Sequence, residues 1–196
     1  MKCMKSAILL HGTCDKDEEY FNDKYPSLSN AHWFPWLQKQ LLINNIFTQT
    51  PEMPEAYSPQ YNLWKHEFEK LTVDEESILI GHSCGGGFLV RWLTENKIKV
   101  AKVVLVAPWL DPHRTKTTDF FDFVIDSQLI ERVGELHLLI SNDDEPDIHQ
   151  SVQTITKAIP GIKLHNFTGM GHFTYGQMNT EKFPELLTIA VGDKNE

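Results

Sequence analysis

The alternation of short apolar segments with segments of helical spacing constrains this chain more than any other feature. The apolar segments lie at residues 7–10, 46–48, 77–81, 100–107, 136–140 and 162–167. Segments with apolar residues at helical intervals lie at 33–43, 61–71, 88–93, 148–158 and 180–190. Strands that alternate with helices predict βαβ units and a parallel sheet. Because the apolar runs are nearly continuous, the sheet is expected to be covered by helices on both faces.

The length and charge of the chain limit its domain count and its partners. A length of 196 residues fits one domain spanning residues 1–196. The 18 basic and 27 acidic residues give a net charge of −9, and no Lys/Arg cluster is present. This weighs against a nucleic acid or an anionic membrane as partner. The apolar run Ala7–Leu10 is too short for a signal peptide or a membrane span, so a cytoplasmic location is expected.

The cysteines predict neither a disulfide framework nor a metal centre. Cys3, Cys14 and Cys84 are odd in number and widely spaced, and no CxxC pair occurs. The pattern therefore fits a reducing compartment. We expect no metal and no cofactor.

The segment Gly81-His82-Ser83-Cys84-Gly85 matches Gly-x-Ser-x-Gly at the point where an apolar strand runs into a predicted helix. In that setting the serine sits on a sharp turn that presents its hydroxyl above the sheet. Ser83 is therefore the candidate nucleophile, and the backbone N–H of Cys84 is a candidate donor to an oxyanion. No Lys-Ser or Lys-Thr follows the glycines, which excludes a phosphate-binding P-loop.

A serine nucleophile needs a base, and the base needs a carboxylate that orients it. In chains with this motif the order is Ser, acid, His. His172, in a loop after the last predicted strand, is the expected base among nine histidines. The carboxylate should follow the strand at 136–140, where Asp143 and Asp144 both qualify. Asp147 is the third candidate, and Asp111, which follows the preceding strand, is the fourth.

Two other segments are candidates for contact with a substrate. The loop after the first strand reads His11-Gly12-Thr13-Cys14. The Thr13 N–H is a candidate second oxyanion donor, and His11 and Gly12 are expected to contact the substrate. A set of aromatic residues could line a small acyl pocket, although core packing is the preferred interpretation: Trp109, Phe120, Phe121 and Phe123.

Taken in order, these motifs resemble those of the small serine hydrolases related to retinoblastoma-binding protein 9 and the bacterial YdeN-like proteins. The motifs are the first strand with His11-Gly12-Thr13, Trp33-Phe34-Pro35-Trp36-Leu37, Gly81-His82-Ser83-Cys84-Gly85, Ser141-Asn142-Asp143-Asp144 and Gly171-His172-Phe173. The resemblance covers nearly the whole chain. It implies a three-layer α/β-hydrolase fold with a mostly parallel central sheet, helices on both faces and no large lid.

The resemblance also implies site residues and an activity. Ser83, Asp144 and His172 take the triad positions, which favours Asp144 over its neighbour. The implied activity is hydrolysis of small carboxylic esters or amides through a serine ester, with a small-molecule acyl substrate. The chain departs from the family where residues 145–147 (Glu-Pro-Asp) replace the frequent Asp-Pro-x-x-Pro continuation, and where residues 11–32 form a longer loop.

The sequence alone leaves two other functions open. The chain could be a protein-binding module on a hydrolase scaffold, with a protein partner and little or no turnover, because a fold does not guarantee an activity. A thiol activity through Cys84 or Cys14 is the third hypothesis, and neither cysteine has a dedicated base in the sequence.

Overall fold

The computed structural model describes residues 5–17 and 24–192. Cys3 and part of the loop between His11 and His32 lie outside the described residues. The strands of the described part are β1 (Lys5–Leu10), β2 (Ile46–Gln49), β3 (Ile78–His82), β4 (Val100–Val106), β5 (Val133–Ser141) and β6 (Lys163–Phe167). Among its α-helices are α1 (Phe34–Ile43), α2 (Tyr61–Phe68), α3 (Cys84–Asn96), α4 (Pro146–Ala158), α5 (Tyr175–Met178) and α6 (Pro184–Val191).

Across the described residues these strands form one sheet in the order β2-β1-β3-β4-β5-β6, and every pairing is parallel. Leu10 pairs with Gly81, and Gly81 pairs with Leu105, so the carboxyl ends of the three central strands meet at one edge. In open parallel sheets, ligands bind beyond that edge. The segments predicted to carry chemistry therefore converge there.

Helices cover both faces of the sheet, as the side chains of β3 show. The His82 ring contacts the rings of Trp33 and Phe34 at the start of α1. At Gly81 an added Cβ would collide with the backbone of Gly85 in α3. Because neighbouring side chains of a strand point to opposite faces, α1 and α3 lie on opposite sides of the sheet. The expected three-layer α/β architecture is confirmed.

The connection between β4 and β5 is too slight to form a large lid. All of residues 107–132 are described, and they contain one 3₁₀ turn (Leu129–Arg132) and no α-helix. Phe120 is fully buried and makes ring contacts with Tyr61 and Trp64. Phe120 therefore belongs to the core, as preferred from the sequence.

The structure differs from the expected boundaries most clearly around α3. The sequence predicts the helix from Phe88, whereas it begins at Cys84, directly after the turn that holds Ser83. Gly85, Gly86 and Gly87 have low helix propensity, which hid this first turn. All three are buried, so close packing offsets their poor propensity. The short helix α5 was not predicted, and the closing helix begins at Pro184 instead of Thr180.

Candidate active site

Ser83 occupies the turn between β3 and α3 in a strained conformation. Its φ of 54° and ψ of −123° lie in a region that non-glycine residues rarely adopt. Its N–H donates to the Val106 carbonyl at 2.9 Å, and its own carbonyl accepts from Gly86 and Trp109, each at 3.0 Å. Such strain costs about 1–3 kcal/mol and persists where surrounding contacts determine the conformation. Here the contacts come from β4, from α3 and from the segment after β4.

Glycine at two positions allows the first loop to approach this turn. A Cβ at Gly85 would collide with the carbonyl oxygens of Leu10 and His11. A Cβ at Gly12 would lie 2.7 Å from Ser83 Cβ and 3.2 Å from Ser83 Oγ. The backbone after β1 therefore passes directly beside the Ser83 hydroxyl.

Gly12→Ala is expected to lower kcat/KM for a reaction at the Ser83 hydroxyl by about 10²-fold, because a displacement of about 1 Å near the reacting atoms can have that effect. The matched control is Gly176→Ala, since an added Cβ at this exposed position meets nothing within 4 Å. Steady-state kinetics on both variants checks the prediction. Equal activities would show that the close approach of the first loop is irrelevant to the reaction.

His172 and Asp144 lie in direct contact. The Nδ1 atom of His172 is 3.0 Å and 3.1 Å from the two carboxylate oxygens of Asp144. A carboxylate accepts hydrogen bonds, so Nδ1 carries the proton and donates it. The Asp144 side chain is 0% exposed and that of His172 is 21% exposed. This arrangement leaves His172 Nε2 as the ring nitrogen available to a serine hydroxyl.

Asp143 has a different set of partners from Asp144. Its Oδ1 accepts hydrogen bonds from the Ser141 hydroxyl and from the backbone N–H groups of Gly169 and Gly171. These bonds, with that of Ser141 foremost, hold the pKa of the Asp143 carboxyl below its usual value. Asp143 thus ties the end of β5 to the loop that carries His172.

The other two aspartates that the sequence offered also have local partners. Asp147 accepts the indole N–H of Trp109 at 2.7 Å. Asp111 is buried and accepts five hydrogen bonds from Thr115, Lys116 and Thr117, which fold the segment after β4. Neither carboxylate has a hydrogen bond to His172 within the described residues.

A cavity of about 220 Å³ brings most of the predicted site residues together. Its lining is His11, Gly12, Thr13, Leu28, His32, Phe34, His82, Ser83, His172 and Thr174. Ser83 and His172 therefore share one cavity, although their side chains make no hydrogen bond to each other among the described residues. Hydrogen bonds of this kind often tighten only when a substrate binds.

The candidate oxyanion donors lie on either side of Ser83. Cys84 is the first residue of α3, a position where the backbone N–H has no partner within the helix. Thr13 lines the cavity on the opposite loop. Burial raises the pKa of the Cys84 thiol well above its usual value, with a further contribution from Asp111. The thiol is therefore protonated at neutral pH, which argues against Cys84 as a nucleophile.

Two residues predicted to contact substrate differ in their placement. His11 lines the cavity, with its Nδ1 bonded to the Gly12 carbonyl and its Nε2 to the Met53 N–H, each at 2.8 Å. The ring thus shapes the loop after β1. Trp109 is not part of the cavity lining; it is buried against Phe121, and its backbone N–H supports the Ser83 turn.

In the described ranges no cluster of three or more His, Cys, Asp or Glu side chains is placed to hold a metal ion. Over the same ranges no helix has the length and apolarity to cross a membrane.

A family model described as serine hydrolase matches residues 24–187, which is most of the chain. The chain belongs to the serine hydrolase family. Among its curated relatives are the putative hydrolase YdeN of Bacillus subtilis, 26% identical over 133 residues, and the serine hydrolase RBBP9 of Rattus norvegicus, 25% identical over 162 residues. These alignments cover 64% of this chain and 70% of YdeN, and 80% of this chain and 83% of RBBP9. The resemblance stated from the motifs is confirmed.

The fold of this serine hydrolase is also found in solved structures. The YdeN crystal structure matches with a TM-score of 0.77 and 23% identity, covering 94% of this chain and 96% of that one. The carboxylesterase CesB of Bacillus subtilis matches with a TM-score of 0.59 and 16% identity, covering 96% and 84%. The expected α/β-hydrolase fold without a large lid is therefore confirmed.

Two histidines of this serine hydrolase lie at the site although the sequence did not single them out. His82 donates from Nε2 to the His172 carbonyl at 2.8 Å. Burial, with the nearby His172 second, holds the His82 pKa well below its usual value, so the ring stays neutral. His32 lines the cavity. For His82 the available signal was its position beside Ser83; for His32 the sequence contains none.

Proposed function

We propose that this serine hydrolase cleaves small carboxylic esters or amides through a triad of Ser83, His172 and Asp144 and an acyl-enzyme intermediate. The observation that carries the proposal is the contact of His172 Nδ1 with the buried Asp144 carboxylate, 3.0 Å away, while His172 and Ser83 line the same cavity. A serine, a base and a group that orients the base are the parts that acyl transfer needs.

In the proposed first step, Ser83 Oγ attacks the carbonyl carbon and His172 Nε2 takes the hydroxyl proton. Asp144 stabilises the imidazolium that forms, because its carboxylate already accepts the Nδ1–H bond. The developing oxyanion accepts hydrogen bonds from the N–H groups of Cys84 and Thr13. Such donors typically contribute about 2.7–4 kcal/mol each to transition-state stabilisation.

The tetrahedral intermediate then collapses, and His172 gives its proton to the leaving alcohol or amine. A water molecule attacks the resulting Ser83 ester while His172 again acts as base. Release of the carboxylic acid restores the Ser83 hydroxyl. The Cys84 thiol takes no part in this scheme, since its raised pKa keeps it protonated.

The size and lining of the cavity support a small substrate. A cavity of about 220 Å³ lies below the range of about 300–1,000 Å³ that is usual for drug-sized ligands. Leu28 and Phe34 are the large apolar residues of its lining. CesB, one of the structural neighbours, is a carboxylesterase, which supports esters as the first class to test.

A series of p-nitrophenyl esters from acetate to octanoate tests the proposed substrate class. We expect kcat/KM to be highest for acyl chains of two to four carbons and to fall at least about tenfold by octanoate, because the longer chain leaves apolar surface in water. Ser83→Ala provides the background rate. A preference for octanoate would contradict the small acyl site, and absence of turnover by folded enzyme would favour the protein-binding alternative.

A further inference from the structure

His32 lies at the active-site cavity but outside the proposed triad and oxyanion donors. It precedes α1 and is half-buried, and it lines the same cavity as Ser83 and His172. The mechanism proposed above assigns it no role. Its hydrogen bonding nevertheless fixes what its ring can offer to a bound molecule.

The proton on the His32 ring can be located from a single contact. The backbone N–H of Tyr175 donates to His32 Nδ1 at 3.1 Å. Because a backbone N–H can only donate, Nδ1 must carry a lone pair, and the neutral ring must hold its proton on Nε2. Burial, with His172 and Lys24 as smaller causes, lowers the His32 pKa to about 4, which agrees with a neutral ring at pH 7.

Within the described part of the protein, the contact with Tyr175 is the only hydrogen bond of the His32 ring. The Nε2–H group therefore has no acceptor there. The His32 Nε2 atom is also not fully buried, so part of its surface is exposed to solvent. The group is therefore a donor that remains accessible to solvent on a residue lining the cavity. A substrate oxygen at this position would replace water as its acceptor.

The backbone on both sides of His32 holds the ring in place. His32 has a φ of 56°, in the left-handed region that is uncommon for residues other than glycine. The next residue, Trp33, donates its indole N–H to the Phe173 carbonyl at 3.1 Å. Together with the Tyr175 bond, this ties the start of α1 to the segment after His172. Strain that is held by surrounding contacts in this way is found preferentially at functional sites.

We propose that His32 is a specificity-determining residue, which donates its Nε2–H to a hydrogen-bond acceptor on the substrate. The preferred substrates are thus small esters or amides that carry an ether, keto or hydroxyl oxygen in addition to the reacting carbonyl. This inference rests on the proposed function and narrows its substrate class. A site that offers a hydrogen bond discriminates against an analogue lacking the partner, because the donor then loses its water without replacement.

Matched ester pairs that exchange one CH₂ for an oxygen test the inference. In the acyl part the pair is p-nitrophenyl methoxyacetate and p-nitrophenyl butyrate; in the leaving group it is 2-methoxyethyl acetate and butyl acetate. The measured quantity is the kcat/KM ratio of oxygen ester to carbon ester. Dividing each ratio by that for hydroxide-catalysed hydrolysis removes the difference in intrinsic reactivity.

The enzyme variants are His32→Phe, which keeps a ring but has no donor, and His32→Gln, whose amide can accept from Tyr175 and donate from its nitrogen. In wild type we expect the corrected ratio to exceed one for at least one pair. His32→Phe should lower that ratio about five- to tenfold, the effect of one hydrogen bond, and His32→Gln should restore part of it. Thermal unfolding reports whether each variant is folded.

The outcomes separate this inference from the proposed function. If the wild type hydrolyses both members of each pair, two results would overturn the role of His32. They are a corrected ratio near one in the wild type and a ratio that is unchanged in folded His32→Phe. Either result leaves the triad proposal intact. Wild type that hydrolyses no ester of either pair overturns the proposed function itself. If His32→Phe does not fold, His32→Ala replaces it in the same comparison, because alanine also lacks the donor.

Discussion

Ser83→Ala is expected to abolish covalent labelling by a fluorophosphonate probe and to lower kcat/KM for p-nitrophenyl acetate by about 10³–10⁶-fold, as removal of a serine nucleophile does in other hydrolases. The physical reason is that the substitution removes the attacking oxygen and leaves the rest of the cavity in place. The turn also accommodates alanine without a clash, since alanine is serine without the hydroxyl oxygen. Mass spectrometry of the labelled peptide identifies the modified residue.

The matched control for this experiment is Ser58→Ala, which removes a hydroxyl from an exposed serine outside the cavity. It should label and turn over like wild type. His172→Ala should remain folded and label far more slowly, because the Ser83 hydroxyl then lacks its base. Label on a residue other than Ser83, or undiminished label in Ser83→Ala, would refute the assignment of the nucleophile.

Asp144→Asn is expected to lower kcat by about 10³–10⁴-fold with little effect on KM. The equivalent substitution in a serine protease triad has an effect of this size, because an amide favours the wrong histidine tautomer and does not stabilise the imidazolium. In this chain the Asp144 carboxylate contacts His172 Nδ1 through both oxygens and is shielded from solvent. Full kinetics at several pH values checks the prediction.

The adjacent carboxylate supplies the control that this prediction needs. Asp143→Asn makes the same chemical change one residue away, at a carboxylate bonded to Ser141, Gly169 and Gly171. We expect it to lower the melting temperature slightly, because these hydrogen bonds are weakened, and to lower kcat far less than Asp144→Asn does. A larger loss of kcat in Asp143→Asn would show that Asp143, and not Asp144, is the acid of the triad.

The fold could be predicted from local patterns because each pattern reports a local physical requirement. Apolar runs such as Val100–Val106 predict buried strands, and the spacing in 148–158 predicts an amphipathic helix. The motif at 81–85 predicts the turn that presents Ser83, since only glycines fit where strand and helix approach closely. The first turn of α3 was missed because its stability comes from packing instead of propensity.

The choice between neighbouring carboxylates needed more than the local sequence. Asp143 and Asp144 differ by one position in the same turn, and the motif order accepts either. The resemblance to a family pointed to Asp144. In the structure, the bonds of Asp143 to Gly169 and Gly171 orient the two side chains, and these partners are 26 and 28 residues away.

The sequence by itself determined the parallel α/β layering and the turn that carries Ser83, because residues close in the chain form both. It also placed His172 in a loop after the last strand. Only the tertiary structure decided which groups meet that histidine: the Asp144 carboxylate, the His82 ring at its carbonyl, and His32 across the cavity. The hydrogen bonds that bring these segments together join residues up to 143 positions apart, as in the bond from Tyr175 to His32. Contacts of this kind depend on how the loops pack at the sheet edge, which no local pattern encodes.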